Sequence, residues 1–96
     1  MRGKGPILDL TLRALADPTR REILRALQRG ELTAGEIAAR FSMTAASVSH
    51  HLAVLREAQL VQAERNGRHV IYTLDSTVFQ DAMRQLADLF KIGGGG

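Results

Sequence analysis

The chain has 96 residues and no cysteine, which fits one small domain and excludes disulfide bonds and thiolate metal sites. No apolar run is long enough to span a membrane and the first residues lack the apolar core of a signal peptide, so we expect a cytoplasmic protein without membrane contact. The net charge is +3, and positive charge is concentrated in residues 1–30, with seven Arg or Lys against three acids. This basicity is compatible with a nucleic-acid partner but is weak evidence alone.

Residues 1–6 are predicted to be disordered, and a short first helix follows with apolar residues at Leu8, Leu12 and Leu15. Asp17 and Pro18 predict a new helix, as N-cap and first helical residue. Gly30 is predicted to be the left-handed C-cap of this second helix. Its arginines are expected on or near the surface, either as a solvated face or, for some, as contacts to a DNA backbone; they are Arg20, Arg21, Arg25 and Arg29.

Residues 33–60 predict two short helices joined by a tight turn, the arrangement of a helix-turn-helix. Thr33 and Glu36 have the spacing of a capping box at the start of the first of these helices, which runs to about Phe41. Thr44 is a good N-cap for the second, which ends near Ala58. Apolar residues at helical spacing predict its inward stripe, namely Val48, Leu52 and Leu55.

The outward face of that second helix is small and polar in its N-terminal half. Ser47, Ser49 and His50 are expected to reach base edges, because short donors and acceptors can approach a major groove closely. Thr44 and Arg56 are expected to contact phosphates, and the helix N-terminus around Ala45 and Ala46 offers free backbone N–H groups to an anion. The alternative is an ordinary helical hairpin inside a small all-α domain.

An enzyme would have to use the pair His50-His51 with the serines beside it. Adjacent histidines on a helix point about 100° apart, so they do not form one site. No carboxylate at helical spacing orients either ring, and no glycine-rich phosphate loop is present. We therefore expect no catalysis, and we expect His51 to be a packing residue with one satisfied nitrogen.

Beyond the helix-turn-helix, the segments Leu60–Arg65 and Arg68–Leu74 are strand-like. Asn66 and Gly67 between them predict a two-residue type I′ hairpin turn. A helix-turn-helix followed by a hairpin is a winged helix. Its tip is rich in donors that could reach a phosphate or a minor groove, or could form a plain solvated turn; they are Arg65, Asn66, Arg68 and His69.

Asp75–Thr77 are expected to cap a last helix, in which Thr77 and Gln80 form a second capping box. The apolar stripe of this helix is broad for so small a domain, so we expect a two-fold dimer formed by the first and last helices. The dimer interface is expected to contain Leu8, Leu12, Leu15, Phe79, Met83, Leu86 and Phe90. Two reading helices would then lie about 34 Å apart, over a near-palindromic site.

The predicted fold is thus mainly α with a small β-hairpin, a winged helix-turn-helix of element order ααααββα. It occupies residues 7–92 as a DNA-binding and dimerisation domain. Residues 93–96 are glycines and are expected to be a flexible tail.

Several segments, in this order, resemble the ArsR/SmtB family of winged-helix repressors: residues 14–24, 31–41, 48–61 and 65–74. Residues 76–81 together with 33–38 are most similar to the SdpR-like branch of autorepressors. The resemblance implies a homodimer formed by the first and last helices, a helix from Thr44 to about Ala58 in the major groove, and a wing on the backbone. It also implies repression by occupying a promoter.

Departures from the family pattern refine this expectation. Metal-sensing members carry a Cys-x-Cys pair where this chain has Thr33 and Gly35, and the last helix here has no histidine. We therefore expect neither a metal nor a cofactor. The sequence leaves open whether an inducer exists and whether it would be a protein or a small molecule. Ala45-Ala46 replaces a basic residue and proline, and Gln59 replaces a glycine that ends the helix, at a cost of about 1 kcal/mol if it is left-handed.

The sequence therefore predicts a homodimeric, metal-independent transcriptional repressor that binds double-stranded DNA, and the resemblance to the autorepressor branch implies a site upstream of its own gene. One alternative remains: a winged-helix module for protein or RNA contacts that lacks specific DNA recognition. Ala45-Ala46 and the slightly acidic balance of residues 31–75 support that alternative.

Overall fold

The structure is a computed structural model that describes the backbone of residues 5–91 and the side chains of residues 8–91. In that range the chain forms five helices and three strands in the order α1, α2, β1, α3, α4, β2, β3, α5. The helices are α1 Gly5–Leu15, α2 Pro18–Leu27, α3 Ala34–Phe41, α4 Ala45–Glu57 and α5 Ser76–Leu89. The strands are β1 Leu32–Thr33, β2 Val61–Asn66 and β3 His69–Leu74. The expectations for residues 1–4 and 92–96, including the glycine tail, lie outside the described residues.

Helix α1 begins earlier than predicted. Gly5 and Pro6 belong to its first turn, so the prediction of disorder to residue 6 is wrong for these two residues. Proline is tolerated there because the first N–H groups of a helix have no partner within the helix.

The caps of α3 and α4 confirm the sequence prediction. The hydroxyl of Thr33 accepts from the backbone N–H of Glu36 at 3.1 Å, and the Glu36 carboxylate accepts from the backbone N–H of Thr33 at 2.8 Å. The hydroxyl of Thr44 accepts from the backbone N–H of Ser47 at 3.1 Å. Local side-chain chemistry therefore fixes where both helices of the helix-turn-helix begin.

Helix α2 is capped as predicted at its start but not at its end. The Asp17 carboxylate accepts from the backbone N–H of Arg20 at 3.0 Å, and Pro18 is the first helical residue. The C-cap is Gln28, in a right-handed conformation. Gly30, predicted to be a left-handed cap, lies two residues farther on with φ of 155°, because the chain turns out towards β1 there.

Helix α5 is capped from within the predicted cluster Asp75–Thr77, but without the predicted capping box. The Asp75 carboxylate accepts from the backbone N–H of Val78 at 3.1 Å, which makes Asp75 the N-cap. Thr77 then lies inside the first turn, so the predicted capping box of Thr77 and Gln80 is wrong. A carboxylate at the start of a helix also interacts favourably with the helix dipole, which favours Asp75 over a hydroxyl two residues later.

The three strands form an antiparallel sheet with β3 in the middle, in the order β1-β3-β2. The hairpin pairs Val61 with Leu74 and continues to the pair Asn66 and His69. The two-residue strand β1 was not predicted, and it pairs Leu32 with Tyr72 on the other edge of β3. This pairing ties the start of α3 to the wing.

The hairpin turn is displaced by one residue from the predicted position. Because Asn66 pairs with His69, the two turn residues are Gly67 and Arg68 rather than Asn66 and Gly67. Only Gly67 has a positive φ, 65°, whereas a type I′ turn needs positive φ at both central residues. A glycine at the first central position is the pattern of a type II′ turn, and the predicted type I′ turn is wrong.

The core lies between α2, α3, the back of α4 and the start of β2. Its largest fully buried side chains are Ile23, Ile37, Val48, Leu52, Leu55, Leu60 and Val61. The predicted inward stripe of α4 is thereby confirmed, and each of its leucines is stabilising by about 1.5–3 kcal/mol through burial. No helix in residues 5–91 is both long enough and apolar enough to cross a lipid bilayer.

Candidate nucleic-acid interface

The front of α4 is open to solvent along its N-terminal half. We call this surface the reading face, and all its residues are exposed: Thr44, Ala45, Ala46, Ser47, Ser49 and His50. The opposite side of the same helix is anchored by Val48 and Leu52, which are 1% and 2% exposed. A rigid helix with small side chains on its free face has the shape that fits a major groove.

The start of α4 is equipped for an anion despite the absence of a basic side chain. The first backbone N–H groups of a helix have no partner within the helix. Ser47 N–H is satisfied by the Thr44 hydroxyl, which keeps its own proton free for an acceptor. The methyl side chains of Ala45 and Ala46 leave their N–H groups accessible, so backbone donors can substitute here for the basic residue that the family often carries.

The C-terminal half of α4 forms an open hollow with the end of α1. Arg13, His50, Arg56 and Glu57 line this hollow. Arg13 and Glu57 form an exposed ion pair at 3.1 Å, which contributes little because both side chains are more than half exposed. Arg56 is exposed and has no ion-pair partner among residues 8–91, so its guanidinium is available to a phosphate.

The wing tip, residues 65–69, is exposed throughout. A side chain added at Gly67 would meet nothing within 4 Å, so the turn does not pack on the rest of the domain. Within the described side chains, Arg65 and Arg68 have no acidic partner. The tip therefore presents uncommitted donors, as the sequence predicted, although Arg68 stands in the turn instead of at the start of a strand.

The two adjacent histidines of α4 have different surroundings. Their ring centroids are 5.7 Å apart and the ring planes are inclined by 56°. His50 is exposed on the reading face, whereas the side chain of His51 is only 15% exposed and faces α1 and α2. The prediction that His51 is a packing residue with one satisfied nitrogen is confirmed, since its Nδ1 lies 3.2 Å from Nη1 of Arg20.

Arg20 is buried, at 8% exposure, and the prediction that it lies on or near the surface is wrong. Its Nε donates to the carbonyl of Ala14 and its Nη2 to the carbonyl of Arg13, both at 2.8 Å. These carbonyls belong to the last turn of α1, where no N–H within the helix is left to satisfy them. Arg21, its neighbour, donates to the carbonyl of Leu15 at 2.7 Å and stays exposed.

Asp17 lies next to both Arg20 and His51. Its Oδ2 lies 3.9 Å from Nδ1 of His51. The hydrogen bond from the backbone N–H of Arg20 is the largest influence and holds the pKa of Asp17 below its usual value of 3.8, against the opposing effect of desolvation. We call Asp17, Arg20 and His51 the Arg20 cluster. A sequence signal for it exists, because two adjacent arginines, Arg20 and Arg21, lie in the first turn of α2, shortly after the end of α1.

The apolar residues predicted at the dimer interface are incompletely covered in the single chain. Leu12 is 39% and Phe90 is 73% exposed, and Leu89, which the sequence prediction left out of the interface, is 50% exposed. The others are half-buried, namely Leu8, Leu15, Phe79, Met83 and Leu86. Leu15, Phe79 and Met83 also line an apolar groove between α1, α2 and α5.

The acidic residues of α5 are engaged by cations of the same region. Asp81 contacts Arg84 at 2.7 Å, and Asp88 contacts Lys91 at 3.8 Å. Among the side chains of residues 8–91, no three histidines or carboxylates are close enough together to hold a metal ion.

Comparison with known proteins agrees with this architecture. Residues 17–63 match the family model described as "Bacterial regulatory protein, arsR family". The chain is 40% identical to the transcriptional repressor SdpR of Bacillus subtilis over 86 residues, covering 90% of this chain and 96% of SdpR. It is also 40% identical over 75 residues to a transcriptional repressor SmtB homolog of Synechocystis, covering 78% of this chain and 57% of that protein.

A solved ArsR family transcriptional regulator superposes on the structure with a TM-score of 0.82 and 29% sequence identity, covering 96% of this chain and 95% of that one. The likeness therefore includes α1 and α5 as well as the helix-turn-helix and the wing. The chain belongs to the ArsR family of bacterial regulatory proteins and is a DNA-binding transcriptional repressor with a winged helix-turn-helix fold.

Proposed function

We propose that the chain works as a homodimer that represses transcription by binding a near-palindromic operator without a metal ion. The observation that carries this proposal is the reading face, which is exposed, free of bulky side chains and held rigid by the buried stripe behind it. In a two-fold dimer the two reading faces would enter successive major grooves about 34 Å apart.

The division of labour follows from reach and charge. Ser47, Ser49 and His50 are assigned to base edges, since they stand on the exposed front of α4. Phosphate contacts are assigned to Thr44, to the backbone N–H groups of Ala45 and Ala46, and to the guanidiniums of Arg56, Arg65 and Arg68. Asn66 and His69 of the wing tip add further donors near the backbone or a minor groove.

Dimerisation is supported by the apolar surface that one chain leaves open on α1 and α5. Leu12, Leu89 and Phe90 are large and exposed, which is costly in water unless another surface covers them. An identical pair of helices is the occupant that fits, because two-fold contacts are self-complementary.

Metal independence is supported by side-chain chemistry. Thr33 and Gly35 occupy the positions where metal-sensing relatives carry cysteines, and neither offers a thiolate. The Thr33 hydroxyl is already used as the cap of α3. The carboxylates of α5 are paired with cations, and that helix contains no histidine.

Footprinting on the DNA upstream of the chain's own gene tests the proposal, with and without a chelator and against a duplex of scrambled half-sites. We expect protection of one near-palindrome, unchanged by the chelator, by a species of twice the chain mass. Uniformly weak binding to any duplex would overturn the proposal and favour a module for protein or RNA contacts. Binding that disappears with the chelator would contradict metal independence alone.

A further inference from the structure

One guanidinium joins three helices at the back of α4. Arg20 belongs to α2, bonds two carbonyls at the end of α1, and contacts His51 of α4. Its own backbone N–H is held by Asp17. In the part of the chain that the structure describes, the other polar tie between α1 and α4 is the exposed pair of Arg13 and Glu57.

We propose that Arg20 is a positioning residue for operator recognition: by holding α4 against the end of α1, it sets the distance between the two reading faces of the dimer. The inference rests on the proposed homodimer, in which α1 belongs to the interface. It assigns to Arg20 no contact with DNA.

The fork of arginine suits this role. Its planar group offers five donors in a fixed arrangement, and three of its nitrogens are used here in different directions, two of them at 2.8 Å. A lysine could keep the charge but could not bond both carbonyls and the imidazole in that geometry. Burial at 8% exposure makes loss of these bonds costly, so the three helices share one preferred arrangement.

A small change in the angle between α4 and α1 becomes a larger displacement of the reading face at the DNA. Each reading helix lies about 17 Å from the two-fold axis if the pair is about 34 Å apart, so a tilt of about 5° moves it by roughly 1.5 Å. Such a shift does not weaken binding to a single half-site, because only one protomer then has to contact the DNA. It is not tolerable for both half-sites at once, since their separation is fixed by the duplex.

Arg21 is a matched control for Arg20. It is the next residue, carries the same group, and also bonds the end of α1, through the carbonyl of Leu15 at 2.7 Å. It is exposed and makes no contact with α4 among the described hydrogen bonds. A difference between variants at these two positions therefore reports the buried contacts of Arg20 rather than net charge, and His51→Leu isolates the contact with α4.

The experiment compares Arg20→Gln, His51→Leu and Arg21→Gln with the wild type on three duplexes: the operator, the operator with one central base pair inserted, and a single half-site. We expect Arg20→Gln and His51→Leu to reduce the preference for correct spacing about fivefold, with half-site affinity within about twofold of the wild type. The double variant Arg20→Gln with His51→Leu should lose little more of the spacing preference than either single variant, because both substitutions remove the same contact between α2 and α4. Arg21→Gln should keep the preference.

Nitrogen NMR of the His51 ring supplies a readout that does not depend on DNA. Because arginine can only donate, a hydrogen bond between Arg20 Nη1 and His51 Nδ1 uses Nδ1 as the acceptor, so we expect the nitrogen shift of Nδ1 to change in Arg20→Gln but not in Arg21→Gln. His51→Leu leaves both carbonyl bonds of Arg20 in place, so it keeps the test valid if Arg20→Gln fails to fold.

The outcomes separate two failures. If the wild type shows no preference for spacing, the proposed two-site function is rejected, and this inference with it. If the wild type discriminates and the folded variants discriminate equally well, or lose half-site and operator affinity in equal measure, the inference alone is overturned.

Discussion

The reading face and the wing tip are both exposed surfaces assigned to DNA, yet they are built in opposite ways. The reading face stands on a helix whose rear is fully buried, its side chains are short apart from His50, and none of them is an arginine, lysine or carboxylate. The wing tip carries the long charged side chains of Arg65 and Arg68 around a two-residue turn, and nothing is packed behind Gly67.

The difference teaches how one small domain can separate two tasks. Short groups on a fixed helix can be placed within hydrogen-bond distance of particular base edges, which carry sequence information. Long, mobile cations find a phosphate wherever the backbone runs, and they add affinity that depends on salt rather than sequence. We therefore expect substitutions on the two surfaces to change different observables.

The largest effect is expected from adding bulk to the reading face. Ser47→Leu should lower operator affinity towards the non-specific level, by about a hundredfold or more, because the side chain would hold α4 out of the groove. The melting temperature should stay close to that of the wild type, since Ser47 is exposed and its capping contact uses the backbone N–H. Gel shift and thermal unfolding measure both, with Ser76→Leu on α5 as control. Tight operator binding by Ser47→Leu would show that α4 is not part of the DNA interface.

Two histidine variants contrast the surfaces directly. His50→Ala should relax the preference at one base pair of each half-site, by about 1 kcal/mol, and leave binding to other sequences almost unchanged. His69→Ala in the wing should weaken all duplexes alike. Affinities for a set of single-base operator variants distinguish these results. The same pattern from both variants would contradict the division of tasks.

The wing arginine should act through charge alone. Arg68→Ala should weaken specific and non-specific duplexes equally and reduce the salt slope by about one for each protomer. Arg84→Ala, which removes an arginine already paired with Asp81, should leave the slope unchanged. Fluorescence anisotropy over a range of salt concentrations measures the slope. A changed base preference in Arg68→Ala would show that the wing reads sequence.

The joint between the two surfaces offers a smaller effect on stability. Gln59 follows α4 and precedes β2 with φ of 63°, a left-handed conformation that costs a non-glycine residue about 1 kcal/mol. Gln59→Gly should therefore raise the melting temperature by about 4–8 °C. Ala58→Gly, at the right-handed residue before it, should lower it instead. Equal changes in both variants would show that the backbone conformation is not the cause.

The smallest effect is the dependence of stability on acidic pH, and it should come from Asp17 behind α4 and not from the wing. The pKa of Asp17 is lowered in the folded chain, chiefly by the backbone N–H of Arg20, so its contribution is present above the usual value of 3.8 and is lost as the pH falls below it. Asp17→Ala should be less stable than the wild type by about 1 kcal/mol at neutral pH. Denaturant unfolding from pH 6 to pH 2.5 should show that gap closing at the acid end. A constant gap would contradict the assignment.

Features with a local cause were predictable from the sequence. The caps at Thr33 and Thr44 rest on residues a few positions apart, and the inward stripe of α4 follows from helical spacing. The left-handed Gln59 was anticipated because a glycine is usual in the family at that position. The same local reasoning placed the reading face and the wing tip on the surface.

Features with a distant cause were missed. Strand β1 has two residues and exists only because β3 offers an edge to Leu32 and Thr33. Arg20 has the helical position of a surface residue, and its burial is decided by carbonyls of another helix. The hairpin turn moved by one residue because the pairing of Asn66 with His69 outweighs the local preference of Asn-Gly.

The central position of β3 leaves β2 as the longer of two edge strands, six residues long, with its far side unpaired in the part of the chain that the structure describes. Such an open edge is a template on which a foreign strand could add and begin aggregation. Glu64 and Arg65 sit in that strand, and charges there discourage stacking. These two charged residues of β2 thus help to prevent aggregation when the protein accumulates.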